Sequence, residues 1–392
     1  MANLYNHKKM LPTFYQTFLS EQLNHSDWLM VKTLVWLLQL HKTVKIERLA
    51  ACFPLSIKQE SRRKRIQRFL VSTSLSVPLV WFPLIQILIH RHFPKDKPIY
   101  LALDRTSWKQ NNLFMGSVIY QKRAWPVYWT FIDHTGASNL ARQKALLTPI
   151  LRLLKGYKII VVGDREFHSV ELAKWLQSKK VYFALRQKCN TYIKQSRKKG
   201  EDFESLSNLG LQPGMKLYLP SVQFTKKKGF GRYALAAYWK RKYGANKSSE
   251  PWYILTNLPD LKSALKAYEM RMGIEAMFKD CKTGGYNLEG TGANQERLTR
   301  LVLLIALAYT SASIQGVPIK QQGVQSYVAR LTESGRSQRR HSNFWIGLYG
   351  LSWIDSMEKL EELSIEFMKL HPDKQPFYRR GLRAMSLIQS TF

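Results

Sequence analysis

The sequence predicts an α/β protein: a central domain of strands and helices with an inserted β-rich subdomain, flanked by helical N- and C-terminal regions. Three observations carry this. Apolar residues recur at helical spacing through the first 95 residues. From Pro98 the texture changes to short apolar runs separated by turn residues, in the order β-β-β-α-β-α-β. A basic, glycine-containing, β-leaning stretch at about 186–250 then interrupts that order before a strand and a long helix resume it. The expected division is a helical domain at 1–95, an α/β domain at 96–300 with its insertion, and a helical region at 301–392.

In the N-terminal region, residues 28–40 are densely apolar at helical period, and 44–52 and 62–70 read as two short helices separated by Phe53-Pro54-Leu55-Ser56. Arg62, Arg63, Lys64, Arg65 and Arg68 crowd the second of these. A basic second helix after a turn is either a helix-turn-helix element or one solvated face of a small bundle; phosphate contact suits both. In the central region, 99–103 is an apolar strand ending in Asp104, and 114–120 and 127–133 are strands joined by a hairpin-like link at 121–126. Residues 141–155 have helical periodicity, 157–163 is an apolar strand ending in Asp164, 169–178 is a helix and 181–185 a strand. Within the insertion, 216–219, 222–225 and 233–240 lean to strands; 252–256 is a strand, and a long helix starts near Leu261. Residues 299–312 form an apolar helix, and 315–392 are helical with polar breaks, 357–368 being acidic and amphipathic. The longest apolar runs, 79–89 and 301–308, are too short to cross a bilayer, and no signal peptide pattern opens the chain, so no membrane partner is expected.

Charge narrows the partner. Sixty-one Lys and Arg stand against 27 Asp and Glu, a formal +34, and 11 Trp and 19 Tyr accompany them. A surface this basic calls for a polyanion, and aromatic rings among cations suit unpaired bases. The excess is uneven: residues 1–95 hold 14 basic and 4 acidic side chains, residues 186–247 hold 15 and 3, and the last 72 are nearly balanced. Two DNA-contacting regions are therefore expected. Arg197-Lys198-Lys199 and Lys226-Lys227-Lys228 are solvated runs suited to non-specific phosphate contact. Three scattered cysteines, Cys52, Cys189 and Cys281, exclude a disulfide framework and a cysteine-rich zinc site, and fit a reducing cytoplasm.

The chemistry rests on three carboxylates. Tyr268, Arg271, Glu275 and Lys282 follow one another at spacings of 3, 4 and 7. On a helix these steps return to one stripe within roughly 60°. By itself Arg271–Glu275 reads as a surface ion pair worth a few tenths of a kcal/mol. Asp104 and Asp164, however, each close an apolar strand, where a buried carboxylate must be paired or bound to metal. Three clustered acids repel unless a divalent cation neutralises them. Mg²⁺ is a hard ion that takes oxygen ligands and keeps positions open for water and phosphate; Mn²⁺ can substitute. A pair of such ions serves in-line phosphodiester cleavage and, with a 3′-hydroxyl as nucleophile, strand transfer. Glu166, two residues after Asp164, is expected to point elsewhere, and His168, His90, His92 and Trp108 read as packing or surface groups.

These residues resemble the DDE transposases of bacterial insertion sequences, and most of all the fourth insertion-sequence family, whose Tyr-(2)-Arg-(3)-Glu-(6)-Lys pattern is matched at every gap by Tyr268, Arg271, Glu275 and Lys282. Asp104 in Asp104-Arg105-Thr106-Ser107-Trp108 and Asp164 in Gly163-Asp164-Arg165-Glu166-Phe167 look like the family's first two acids. The strand and helix order likewise resembles the ribonuclease-H-like fold, which implies that Asp104 and Asp164 lie side by side on neighbouring strands. The resemblance covers about 98–300. It implies that Asp104, Asp164 and Glu275 hold the metals and that Tyr268, Arg271 and Lys282 grip phosphates near the transposon end. It further implies double-stranded DNA partners (transposon ends and target) and a flipped base stacked on a Trp, for which Trp239 and Trp252 are the candidates, each of them also readable as a core Trp. Because such a reaction must hold two transposon ends together, a homodimer in the DNA complex is expected. A catalytically silent DNA-binding descendant, or a related nuclease without strand transfer, are the competing expectations.

Overall fold

The computed structural model describes residues 11–133, 136–195, 203–224, 229–241, 250–330 and 341–392. The chain divides into two compact units, Met1–Leu84 with Lys279–Phe392, and Ile85–Phe278. Helices from the two ends of the chain thus share a unit, where the sequence suggests separate N- and C-terminal regions.

The first unit is helical. Its N-terminal part holds α1 (Thr13–Gln22), α2 (His25–His41), α3 (Ile46–Ala51) and α4 (Gln59–Phe69). Asn24 caps α2 by accepting the Asp27 amide, and α4 carries the Arg62–Arg65 cluster. A π-helical turn, Val77–Trp81, leads into α5 (Phe82–His92), which runs into the second unit.

The second unit is built on one sheet. Its elements are β1 (Ile99–Trp108), β2 (Asn111–Tyr120), β3 (Arg123–Phe131), α6 (Leu140–Leu153), β4 (Ile159–Gly163), α7 (Val170–Ser178) and β5 (Tyr182–Arg186). There follow β6 (Tyr192–Gln195), β7 (Glu204–Ser205), β8 (Lys216–Phe224), β9 (Gly231–Tyr238), β10 (Trp252–Thr256), α8 (Leu261–Met270) and α9 (Met272–Cys281). The ten strands lie in the order β3-β2-β1-β4-β5-β10-β9-β8-β6-β7. β1, β4 and β5 are parallel neighbours, and all other pairings are antiparallel. The insertion is therefore an extension of the central sheet, joined to it through β10. Every residue of β4 is buried, as a central parallel strand demands.

Two sequence expectations are corrected here. β1 does not end at Asp104 but continues to Trp108, because its far half pairs with β2 alone. The hairpin link is only Gln121-Lys122, both in the left-handed region at φ 46° and 68°, as a two-residue turn matching strand twist requires.

Back in the first unit, α10 (Gln295–Gln321), α11 (Asn343–Lys359), α12 (Glu361–Lys369) and α13 (Gln375–Gln389) complete the chain. α10 is long and apolar enough to cross a membrane, yet its apolar window is 83% buried inside the protein, which marks it as a core helix. Tyr15 hydrogen-bonds Thr310 at 2.6 Å, and Gln39 donates to the Ala308 carbonyl at 3.2 Å, tying α1 and α2 to α10. The acidic amphipathic segment expected at 357–368 is divided between α11 and α12 by a break at Leu360.

Candidate active site

The parallel pairing of β1 with β4 runs from Ile99↔Ile159 to Leu103↔Gly163 and stops there. Asp104 and Asp164 are the next residue on each strand, so they sit at the same level on neighbouring strands where the two part company. The chain after Asp164 turns sharply into a 3₁₀ turn, Arg165–Phe167. Gly163 permits this turn, since a Cβ there would lie 2.8 Å from the Phe167 Cβ. Phe167 is fully buried and stacks on Phe114. Each acid is oriented by a backbone amide: Arg105 N–H donates to Asp104 Oδ1 and Glu166 N–H to Asp164 Oδ1, both at 2.8 Å.

The third acid comes from the helices after β10. Asp260 caps α8 through the Ser263 amide at 2.8 Å. Arg271 stands at the joint between α8 and α9 and bridges the acids: Nη1 lies 3.7 Å from Asp104 Oδ2, and Nη2 donates to Glu275 Oε1. Its side chain is largely buried, and its guanidinium lies 5.6 Å from the Tyr268 ring centroid. Tyr268 is itself buried, edge-on to Trp252 at 4.9 Å, and its hydroxyl has no hydrogen-bond partner among the described residues. The expected single-helix stripe is thus divided, with Tyr268 on α8, Arg271 at the joint and Glu275 on α9. Lys282 lies just past α9 in the other unit, where it pairs with Glu289 at 2.6 Å.

Electrostatics tie the acids together. Burial pushes the Asp104 carboxyl up to about 7; the Arg105 amide and Arg271 pull it down, while the charges of Asp164 and Glu275 push it further up. Among the described residues no three His, Cys, Asp or Glu side chains are gathered closely enough to hold a metal ion as they stand. The donor set nonetheless fits a hard divalent cation: three carboxylates, one of them held part-neutral by burial and by its acidic neighbours, with an arginine supplying positive charge to two of them.

The remaining expected groups fall as follows. Glu166 turns away from Asp164: its Oε2 accepts from Arg105 Nε at 2.9 Å, and its Oε1 from the Ser138 amide and hydroxyl at 2.8 and 2.7 Å. His168 Nδ1 meets the Arg165 carbonyl at 2.7 Å, closing the 3₁₀ turn. Trp108 packs edge-on to Phe131, His90 stacks near Tyr157, and His92 meets Tyr120 and Trp125. Of the two stacking candidates, Trp252 touches Tyr268, whereas Trp239 follows β9 and hydrogen-bonds through its backbone to Gly214 and Met215. On α4, Arg63 is held by Glu60 at 2.8 Å and Arg62 by the Leu55 carbonyl at 3.3 Å, while Lys64 and Arg65 are exposed. The basic runs 197–199 and 226–228 lie outside the described residues. Sequence reasoning missed the Arg105–Glu166 pair. The available signal was that a basic residue, Arg105, follows Asp104 and an acidic one, Glu166, follows Asp164 within two residues, two opposite charges each beside one of the aspartates.

Residues 132–311 match the family model described as the transposase DDE domain. The match takes in Asp164, Tyr268, Arg271, Glu275 and Lys282, and begins after Asp104. It supports a DNA-transposing enzyme of the DDE class. Among solved structures, a cryo-EM structure of a piggyBac transposase synaptic complex with hairpin DNA is similar at 13% identity, over 97% of this chain and 82% of that one, with a TM-score of 0.43. No curated protein matches the sequence significantly.

Proposed function

We propose that this chain is a cut-and-paste transposase of the fourth insertion-sequence family, which binds terminal inverted repeats and catalyses metal-dependent DNA cleavage and strand transfer. The observation that carries it is the placement of Asp104 and Asp164 at one level on neighbouring strands, with Arg271 joining Asp104 to Glu275. The order β3-β2-β1-β4-β5, with β1, β4 and β5 parallel, supports a ribonuclease-H-like catalytic domain that carries its β insertion before β10.

Asp104, Asp164 and Glu275 would hold Mg²⁺ or Mn²⁺, which when bound supplies the charge that activates an attacking oxygen and stabilises a leaving one. The chain's own residues do the rest. The Arg105 and Glu166 amides fix Oδ1 of each Asp, and Asp104 Oδ2, which faces Arg271, would be shared between that guanidinium and the ion. Arg271 partly offsets the acids' repulsion, and with that charge met elsewhere its guanidinium suits a backbone phosphate. Trp252, braced by Tyr268, is the ring best placed among the candidates to receive a flipped base. Lys64 and Arg65 on α4, with Arg62 and Arg63, would contact end DNA, and Lys282 a phosphate near the cut.

The reaction joins two ends, and the C-terminal helices offer a surface for a second copy. Leu360, Leu363, Phe367, Leu370 and Phe377 on and around α12 and α13 are each more than half exposed, beside an apolar groove of about 500 Å³. Glu361, Glu362 and Glu366 lie on α12, and Arg379, Arg380 and Arg383 on α13. In a two-fold contact the acidic edge of one copy meets the basic edge of the other, which favours homodimerisation despite the net +34.

Cleavage of candidate inverted-repeat ends with Mg²⁺ or Mn²⁺ tests the reading. Wild type is expected to cut and to join 3′ ends to target DNA, and Asp164→Ala to bind the ends while losing both. Binding without cutting by wild type, with either metal, would favour a silent DNA-binding protein; cutting without joining would favour a simple nuclease.

A further inference from the structure

Between the two acid-bearing strands lies a polar network that the chemistry above does not use. Arg105, directly after Asp104, reaches across to Glu166, two residues after Asp164, at 2.9 Å, a contact between residues 61 apart in sequence. The pair is largely buried. Arg105 Nη1 also donates to Asn112 Oδ1 at 2.9 Å, and Asn112 Nδ2 to the Gly136 carbonyl at 3.3 Å. Glu166 Oε1 takes the Ser138 amide and hydroxyl, and Gln143 Nε2 in turn donates to the Ser138 hydroxyl and carbonyl at 3.2 and 3.1 Å. Both carboxylate oxygens of Glu166 and two of the guanidinium nitrogens of Arg105 are thus engaged.

The residues whose side chains form this pair are the same two whose backbone amides orient the acids. Fixing Arg105 against Glu166 therefore fixes the two N–H groups that aim Asp104 and Asp164, and with them the separation of the two carboxylates. It also occupies Glu166, a further acid beside Asp164 that would otherwise be a buried charge seeking a partner. We propose that Arg105 and Glu166 are positioning residues: an ion-paired brace that sets the geometry in which Asp104 and Asp164 take up a divalent cation. This rests on the metal-site reading above. The brace acts through orientation, as hydrogen-bonded partners behind metal ligands do.

The test is titration of Mn²⁺ into the full-length, metal-free protein by calorimetry, without DNA, for Arg105→Ala, Glu166→Ala, the double variant, Arg105→Lys, Glu166→Gln and Asp164→Ala. Each single alanine is expected to weaken Mn²⁺ binding by about 10–100-fold. The double variant is expected to weaken it no more than the worse single, because both remove one brace. The conservative variants are expected to recover part of the loss. Wild-type affinity in a single alanine variant that melts like wild type overturns the proposal, as does a double variant whose loss is the product of the singles. Should the alanines fail to fold, wild-type affinity in both Arg105→Lys and Glu166→Gln overturns it equally. Asp164→Ala separates the two readings: if it binds Mn²⁺ like wild type, the metal site itself is wrong; if it alone loses binding, only the brace is.

Discussion

Asp104 is a carboxyl group that the fold prefers to keep neutral. Burial, reinforced by Asp164 and Glu275, raises it to about 7, so the folded chain keeps a proton that the unfolded chain releases near pH 4. An acid shifted in this direction costs stability as pH climbs from the ordinary carboxylate range through 7. Asp104→Asn removes that ionisation, so in the absence of metal its melting temperature relative to wild type is expected to rise between pH 5 and pH 8. A difference that stays constant across the two pH values would contradict the environment described for Asp104. Under the proposed metal reading, the same shift makes metal uptake compete with a proton, so affinity is expected to fall as pH drops below 7. At this scale the sequence offers Asp104 and Asp164 because an Asp closing an apolar run is chemically conspicuous, and Glu275 because its neighbours repeat a known spacing; what the fold adds is their placement, the two aspartates level on β1 and after β4 and Glu275 joined to Asp104 through Arg271. The Arg105–Glu166 pair was not, since only the β1–β4 register brings together side chains so distant in sequence.

Elements were legible where their period was unbroken. β10 occupies the predicted 252–256, and the helix expected near Leu261 starts there. Reading failed where a neighbour decides the outcome. β1 outruns its apolar segment because β2 pairs with it from Leu101 to Trp108, beyond the end of its pairing with β4, and β6 and β7 are too short to leave a periodic trace. The packing of α10 against α11 is a further case. A Cβ at Gly316 would run into the Asn343 carbonyl, and one at Gly347 into the Ala312 carbonyl, so the two backbones touch where these glycines face the other helix. Gly347→Ala forces the helices apart and is expected to destabilise the helical unit by about 1–3 kcal/mol, seen as a lower denaturant midpoint. An unchanged midpoint would show that the helices have room to separate without loss.

For the whole molecule, the charge balance was legible and its assembly consequence testable. If α12 and α13 form the two-fold contact, Phe367→Asp places a like charge beside Glu366 within an apolar seam. Sedimentation of the complex with end DNA is then expected to shift from two protomers to one; a variant that still sediments as a pair would move the contact elsewhere. The division into two units was not legible, because composition along the chain says nothing about the return of residues after 279 to the helices before 84. The sheet's strand order also has a consequence for synthesis. β10 lies between β5 and β9, yet it is the last of the ten strands to be made. A nascent chain that has emerged through β9 therefore exposes two unpaired strand edges until Trp252–Thr256 arrives. At about 5–20 residues per second, the stretch from the end of β9 to the end of β10 takes on the order of 1–4 s to translate. For that interval the growing chain holds both aspartates but not Glu275, so a stalled ribosome would present an adhesive sheet fragment that lacks one of the three acids proposed for the site.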